Sequence, residues 1–276
     1  MDCHLGRITV HCEAFGEGRP LFLLPGWPDS WEVVANYLEP LFMERTGWKR
    51  LYVDLPGRGA TTGEDWIESN DDVLDVVLEV IDRLAPNGRF VLGGQSAGAY
   101  LARGVLARRV DRVDGLLQVV PVIRVDEPAE ALPPQVVLAS DAALVARVEA
   151  EFGRDVANGF AARVVMQTAP VYERLRALLP AMKNHDAEFL ARLAPREELS
   201  FDVDMLATPF LGPALFILGR QDAVVGYASA LRLTNTYPRA TMAVVDGAGH
   251  ALPWEQPQIF GPLVSEWLDR VDRQTM

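Results

Sequence analysis

Ser96 lies in the run Gly94-Gln95-Ser96-Ala97-Gly98, which fits the pattern Gly-x-Ser-x-Gly. A serine hydroxyl is a weak nucleophile until a base takes its proton. The pattern serves that chemistry where a strand turns sharply into a helix. The turn lifts the hydroxyl clear and leaves room only for small residues two positions either side. The flanking residues have that form. RFVLGG at 89–94 is apolar enough for a buried strand, and QSAGAYLARGVLARR follows as a helix almost without a loop. The N-terminus of such a helix directs positive potential at the hydroxyl. The inert alternative is a glycine-rich turn, and the strand and helix together argue against it.

A serine of this kind needs a base, and the chain has four histidines: His4, His11, His185 and His250. His4 and His11 belong to the first strand region, far from the ends of the central strands. His185 lies in a helical stretch. His250 follows an apolar strand and the turn Asp246-Gly247-Ala248-Gly249, so it is the candidate general base. The base needs a carboxylate to orient it. Asp222, in Gly219-Arg220-Gln221-Asp222 after the strand LFIL, is preferred to Asp246, which sits at a strand end before the glycine turn. The tetrahedral intermediate needs N–H donors. Ala97, after the nucleophile, offers one. Pro25-Gly26-Trp27-Pro28-Asp29-Ser30, after the strand LFLL, offers the other through Trp27, since proline has no N–H. The Trp27 indole either walls the substrate pocket or merely packs.

The elements that must position these groups alternate. Strands are expected at 6–14, 20–26, 50–57, 89–94, 114–122, 214–219 and 240–247. Helices are expected at about 67–84, after Ser96, at 227–237 and near 256–272. Strands apolar along most of their length, separated by helices, specify an α/β fold: a mostly parallel sheet covered on both faces. The stretch 123–209 breaks this rhythm with helical patterns at 141–153, 156–168, 170–179 and 184–194 and prolines at their joints. It reads as a helical cap inserted between two parts of a core, 1–122 and 210–276. Ordinary crossover helices are the alternative, but one crossover needs far fewer residues.

The chain has 276 residues and a formal net charge of -12. That surface argues against nucleic acid and against anionic lipid, which both call for concentrated Lys and Arg. A small neutral substrate remains compatible. The N-terminus lacks the form of a signal peptide and no apolar run reaches the length of a membrane span, so a cytoplasmic protein is expected. A monomer or small homo-oligomer is the default. Cys3 and Cys12 stand beside His4 and His11, but neighbouring strand residues point to opposite faces and the spacing is not that of a zinc site. Ordinary strand residues explain the four, and a disulfide is not needed in a chain this long. No metal or organic cofactor is expected.

These motifs resemble those of the α/β-hydrolase superfamily, in its small, cap-bearing, serine esterase-like branch. The resemblance runs through Leu23-Leu24-Pro25-Gly26-Trp27, Asp54-Leu55-Pro56-Gly57-Arg58-Gly59 and Gly94-Gln95-Ser96-Ala97-Gly98. It continues through Gly219-Arg220-Gln221-Asp222 and Gly247-Ala248-Gly249-His250 to Glu255-Gln256-Pro257. It implies Ser96 as nucleophile, Asp222 as acid, His250 as base, and Trp27 and Ala97 as oxyanion donors. Asp54 looks like that family's structural turn. Pro25 stands where many members carry a histidine, which puts a different shape on the loop beside Trp27. Ser96 argues against haloalkane dehalogenases and epoxide hydrolases, which have aspartate there.

The expected activity is hydrolysis of a small carboxylic ester or lactone through an acyl enzyme. Carbon–carbon bond hydrolysis of a β-diketone-like or vinylogous substrate is the alternative, and a non-catalytic small-molecule receptor a further one. Carbon–carbon cleavage would use a cap group to bind a carboxylate or enol. Arg124, Arg147, Arg154, Arg163, Arg174, Arg176 and Arg192 all supply such groups, and the sequence does not choose among them. His185 either touches substrate or simply precedes a helix start near 184–187.

Overall fold

The apolar runs of the sequence become the strands of one eight-stranded sheet. The structure, a computed structural model, describes residues 1–274. In chain order its first elements are β1 (Asp2–His4), β2 (Thr9–Phe15), β3 (Arg19–Leu24), α1 (Trp31–Leu38) and β4 (Trp48–Val53). Then come α2 (Asn70–Leu84), β5 (Phe90–Gln95), α3 (Ala97–Arg109) and β6 (Val113–Val119). The next stretch holds β7 (Ala139–Ser140), α4 (Ala142–Phe152), α5 (Arg154–Arg163), β8 (Met166–Gln167), α6 (Ala169–Arg176), α7 (Leu179–Met182) and α8 (Ala187–Leu193). The chain ends with β9 (Ala214–Gly219), β10 (Ala240–Val245), α9 (Leu252–Glu255) and α10 (Pro257–Gln274).

The sheet order is β1-β2-β4-β3-β5-β6-β9-β10. Only the β1–β2 and β2–β4 pairs are antiparallel, and the rest of the ladder is parallel. Every residue of β5, β6 and β9 is buried, as a sheet covered on both faces requires. Side chains alternate between two cores. Phe22, Leu51, Phe90, Leu92, Leu116 and Phe216 meet α2 and α3 on one face. Leu21, Leu23, Val91, Leu117, Leu215 and Ile217 meet α1 and α10 on the other.

α2 starts where its sequence dictates. Ser69 accepts from the Asp72 N–H at 3.4 Å, and the Asp72 carboxylate accepts from the Ser69 N–H at 3.0 Å, which completes a capping box. Val73, Val76, Val77, Val80 and Ile81 then line its buried face, with Leu84 partly buried against the same core. The turn after β4 is held by Asp54, whose carboxylate accepts from the N–H groups of Trp31 and Ala60, both at 2.9 Å. That is the structural part expected of it.

Between β6 and β9 the chain adds no strand to the main sheet. α4, α5 and α6 have a small core of their own, Leu144, Val148, Ala157 and Tyr172, apart from the two beneath. Two details differ from the sequence pattern. The helix expected over 156–168 stops at Arg163, and the residues after it run extended into β8, which pairs with β7. The stretch 227–237 forms only a short 3-10 helix, Ala230–Asn235. Among the described residues, no helix is long and apolar enough to cross a membrane.

Arg103 of α3 fixes the exit from β6. It is fully buried, pairs with Asp204 at 3.0 Å, and donates to Gln118 at 2.9 Å and to the Val122 and Ile123 carbonyls at 3.0 Å. Removing one partner strands the others in a low-dielectric interior. Arg103→Ala is expected to cost about 3–5 kcal/mol of stability, read as a lowered midpoint in urea unfolding.

Candidate active site

Ser96 occupies the turn between β5 and α3 with φ 53° and ψ -120°. Positive φ is unfavourable for any residue with a Cβ, so the surroundings must hold it. They do so through the backbone: the Ser96 N–H donates to Val119 O at 2.9 Å, and Ser96 O accepts from Val122 N at 3.2 Å. The glycines are required by contact. A Cβ on Gly94 would collide with the Gly98 carbonyl, and one on Gly98 with the Pro25 carbonyl. The Ser96 hydroxyl makes no cap to α3 and is left for other partners.

Its partner is His250, whose Nε2 lies 3.0 Å from Ser96 Oγ. His250 Nδ1 lies 2.8 Å from Asp222 Oδ2. The other Asp222 oxygen accepts from the Val224 and Val225 N–H groups at 2.9 and 3.1 Å, so the fully buried carboxylate is held by its own turn. Asp246 is elsewhere, accepting from Gln221 Nε2 at 2.7 Å. The three residues thus come together from the loops after β5, β9 and β10. That is the carboxyl edge of a parallel sheet, where open α/β folds bind their ligands.

The loop after β3 meets the same point. A Cβ on Gly26 would stand 3.2 Å from Ser96 Cβ, so glycine permits this approach. Among the described residues, no protein acceptor takes the backbone N–H of Trp27 or of Ala97. Arg58 stacks on the Trp27 ring at 4.7 Å. Arg58 is buried, its Nε and Nη1 lack partners, and burial lowers its pKa to about 10.

A cavity of about 290 Å³ opens over Ser96 and His250. Its walls are largely apolar, with Val148, Phe160, Leu175, Leu179, Met182 and Trp254 among them, and Trp27 lines it too. Of the seven arginines singled out from the sequence, Arg163 and Arg176 reach this cavity. Arg176 is paired with Glu151, whereas Arg163 has no side-chain partner among the described residues. Arg124, Arg147, Arg154 and Arg192 pair with acidic neighbours, and Arg174 donates to the Trp254 carbonyl at 2.9 Å.

His185 does not line the cavity; its Nδ1 lies 3.2 Å from the Met182 carbonyl, and Asp186 caps α8 by accepting from Phe189 N at 3.0 Å. Cys3 and Cys12 are buried free thiols, while His4 turns to Thr9 and His11 to Asp2. The four do not converge.

Two carboxylates at the site have no role assigned to them by the sequence alone. Asp29 is buried in the cavity wall. Glu255 accepts from the N–H groups of Val165 at 2.6 Å and Met166 at 3.0 Å with one oxygen, and from Gly249 at 2.7 Å with the other. Burial raises its pKa, and those three donors oppose the rise. Glu255 therefore ties the His250 loop to the chain after α5. The Arg163 carbonyl adds to the tie, accepting from His250 N at 3.0 Å.

The alpha/beta hydrolase family model matches residues 21–261. The chain belongs to that family. It is 24% identical over 269 residues to the pimeloyl-[acyl-carrier protein] methyl ester esterase of Shewanella woodyi, covering 95% of this chain and 98% of that one. It is 29% identical over 248 residues to the biotin biosynthesis bifunctional protein BioHC of Cellvibrio japonicus, covering 87% of this chain. The chain spans only 46% of that longer relative. An alpha/beta superfamily hydrolase from Oenococcus oeni has the same fold, with a TM-score of 0.86, 22% identity and 99% of each chain covered.

Glu255→Gln puts an amide NH2 against at least one backbone N–H that the carboxylate now accepts. The lost bonds to a charged acceptor are worth about 1.5–3 kcal/mol. Steady-state kinetics are expected to register a fall in kcat of about tenfold or more, larger than any change in KM.

Proposed function

We propose that the protein is a serine hydrolase that cleaves a small carboxylic ester through an acyl enzyme. The unbroken relay Ser96–His250–Asp222, opening on an apolar cavity, carries this conclusion. His250 takes the Ser96 proton as Oγ attacks the carbonyl carbon. Asp222 keeps Nδ1 protonated and stabilises the imidazolium that forms. The developing oxyanion settles against the free N–H groups of Trp27 and Ala97, a term worth about 3 kcal/mol per donor. The leaving alcohol departs with the proton from His250. Water, deprotonated by the same imidazole, then attacks the acyl enzyme and restores Ser96.

The residues 123–209 serve as a cap over the core 1–122 and 210–276. The separate core of α4 to α6, and the cavity walls drawn from α4 to α7, support that division. The name of the Shewanella woodyi relative favours an ester with a small alkoxy group, such as a methyl ester, inside the broader class of esters and lactones. Carbon–carbon bond hydrolysis stands as a second reading because Arg163 faces the cavity without a partner, as a carboxylate-bearing substrate would need.

The test is hydrolysis of p-nitrophenyl acyl esters of graded length. Ser96→Ala is expected to lower kcat by about 10⁴ or more, and Asp222→Asn by about 10⁴. Turnover unchanged in Ser96→Ala would overturn the mechanism. Wild-type inactivity on every ester, with cleavage of a vinylogous keto acid, would favour the second reading. Saturable binding without turnover would favour a receptor.

A further inference from the structure

Asp29 stands in the cavity with nothing to bind. It is 9% exposed, it lines the cavity, and its carboxyl has no hydrogen-bond donor among the described residues. The turn that carries it is closed by the Asp29 N–H, which donates to Gly26 O at 2.9 Å. The side chain is thereby bent back towards the nucleophile. A Cβ on Gly26 would lie 3.5 Å from Asp29 Oδ2 and 3.2 Å from Ser96 Cβ. A largely buried carboxyl that lines a cavity and has no protein donor is open to one from a ligand.

The charges around Asp29 narrow the kind of donor. Burial raises its pKa, and Arg163, His250, Arg58 and His185 oppose the rise. Arg58 is wholly buried with two unpartnered nitrogens, and Asp29 is the foremost opposing charge acting on it. Arg163, on the same cavity, adds a second positive group. An ammonium group arriving here would meet these positive groups as well as the carboxylate. A neutral O–H adds a hydrogen bond and no charge.

We propose, resting on the ester-hydrolase reading, that Asp29 is a substrate-recognition residue and that the preferred ester carries a hydroxyl close to its scissile carbonyl. The hydroxyl donates to the Asp29 carboxylate while the rest of the substrate fills the apolar walls. It can belong to the acyl part or to the alcohol part. Both place an O–H within a few bonds of the carbon that Ser96 attacks.

The experiment compares ethyl butyrate, ethyl 3-hydroxybutyrate and 2-hydroxyethyl butyrate on the wild type, Asp29→Leu and Asp29→Asn. At least one hydroxylated ester is expected to exceed ethyl butyrate in kcat/KM by about tenfold or more, the scale of a hydrogen bond to a charged acceptor. Which ester does so assigns the hydroxyl to the acyl or the alcohol side. The preference should vanish in Asp29→Leu and persist in part in Asp29→Asn, whose amide oxygen still accepts. Comparing ratios between variants cancels the intrinsic reactivity of each ester. The same ratio in the wild type and Asp29→Leu, or no preference for either hydroxylated ester, overturns the proposal. If the wild type cleaves none of the three, the esterase reading fails instead. Asp29 is then read by calorimetric binding of ethyl butyrate and ethyl 3-hydroxybutyrate to Ser96→Ala, with and without Asp29→Leu. A hydroxyl preference lost with Asp29 supports its role, and an unchanged or absent preference overturns it.

Discussion

The backbone of Ser96 is held at positive φ between a strand and a helix, and the rest of the site is arranged around that turn. No side chain fits at Gly94 or Gly98, because β5, α3 and the loop after β3 approach each other there within backbone contact. The close approach sets the loop after β3, which carries Trp27, against the turn that carries Ser96. The parallel sheet supplies the stiffness. β5 sits between β3 and β6, fully buried, so the turn cannot relax by shifting its strand. Local strain survives only where the surrounding structure over-determines it, and here the neighbouring strands do so.

Around this rigid point lies a set of buried charges in different circumstances. Asp222 is satisfied by two backbone donors and one imidazole nitrogen. Glu255 is satisfied by three backbone donors and serves as a fastener. Arg58 keeps two buried nitrogens without partners and stacks on Trp27, and Asp29, two residues after Trp27, lines the cavity with no hydrogen-bond donor among the described residues. A buried unsatisfied group is expensive in proportion to its charge. Asp29 lines the same cavity as Ser96, and Arg58 stacks on Trp27, which also lines it, so both lie near the site and not in the distant core.

The grouping of Ser96, Asp222 and His250 was legible because it draws on scarce residue types at strand ends. Of four histidines, only His250 followed a core strand on the active edge. The eight-stranded order is consistent with the expected mostly parallel sheet, since fully apolar runs such as those of β5, β6 and β9 suit only a doubly covered strand. Asp29 was not legible: in Trp27-Pro28-Asp29-Ser30 it reads as any turn aspartate, and its inward direction depends on how the loop folds back on Gly26. Glu255 acts on residues about 90 positions away, a relation no local pattern carries. It also bears on the helix expected to reach 168. The N–H groups of Val165 and Met166, which helix continuation would need, are given to Glu255 instead. Arg163 differs from its six fellow arginines only by which neighbours stand near it.

The loop that carries His250 is held by two distant parts of the chain. His250 donates its backbone N–H to the last residue of α5, and Glu255 fastens the next residues of that same segment. The segment that leaves α5, a helix lining the cavity, therefore also holds the backbone of His250. They are not an interchangeable lid. A transplant of residues 123–209 from a relative would change the cavity walls and break the bonds that hold the backbone of His250 at the same stroke, unless the matching segment around Gly249–Glu255 travelled with it. Retargeting this scaffold is thus a problem of exchanging two coupled pieces, with the backbone between them as the joint.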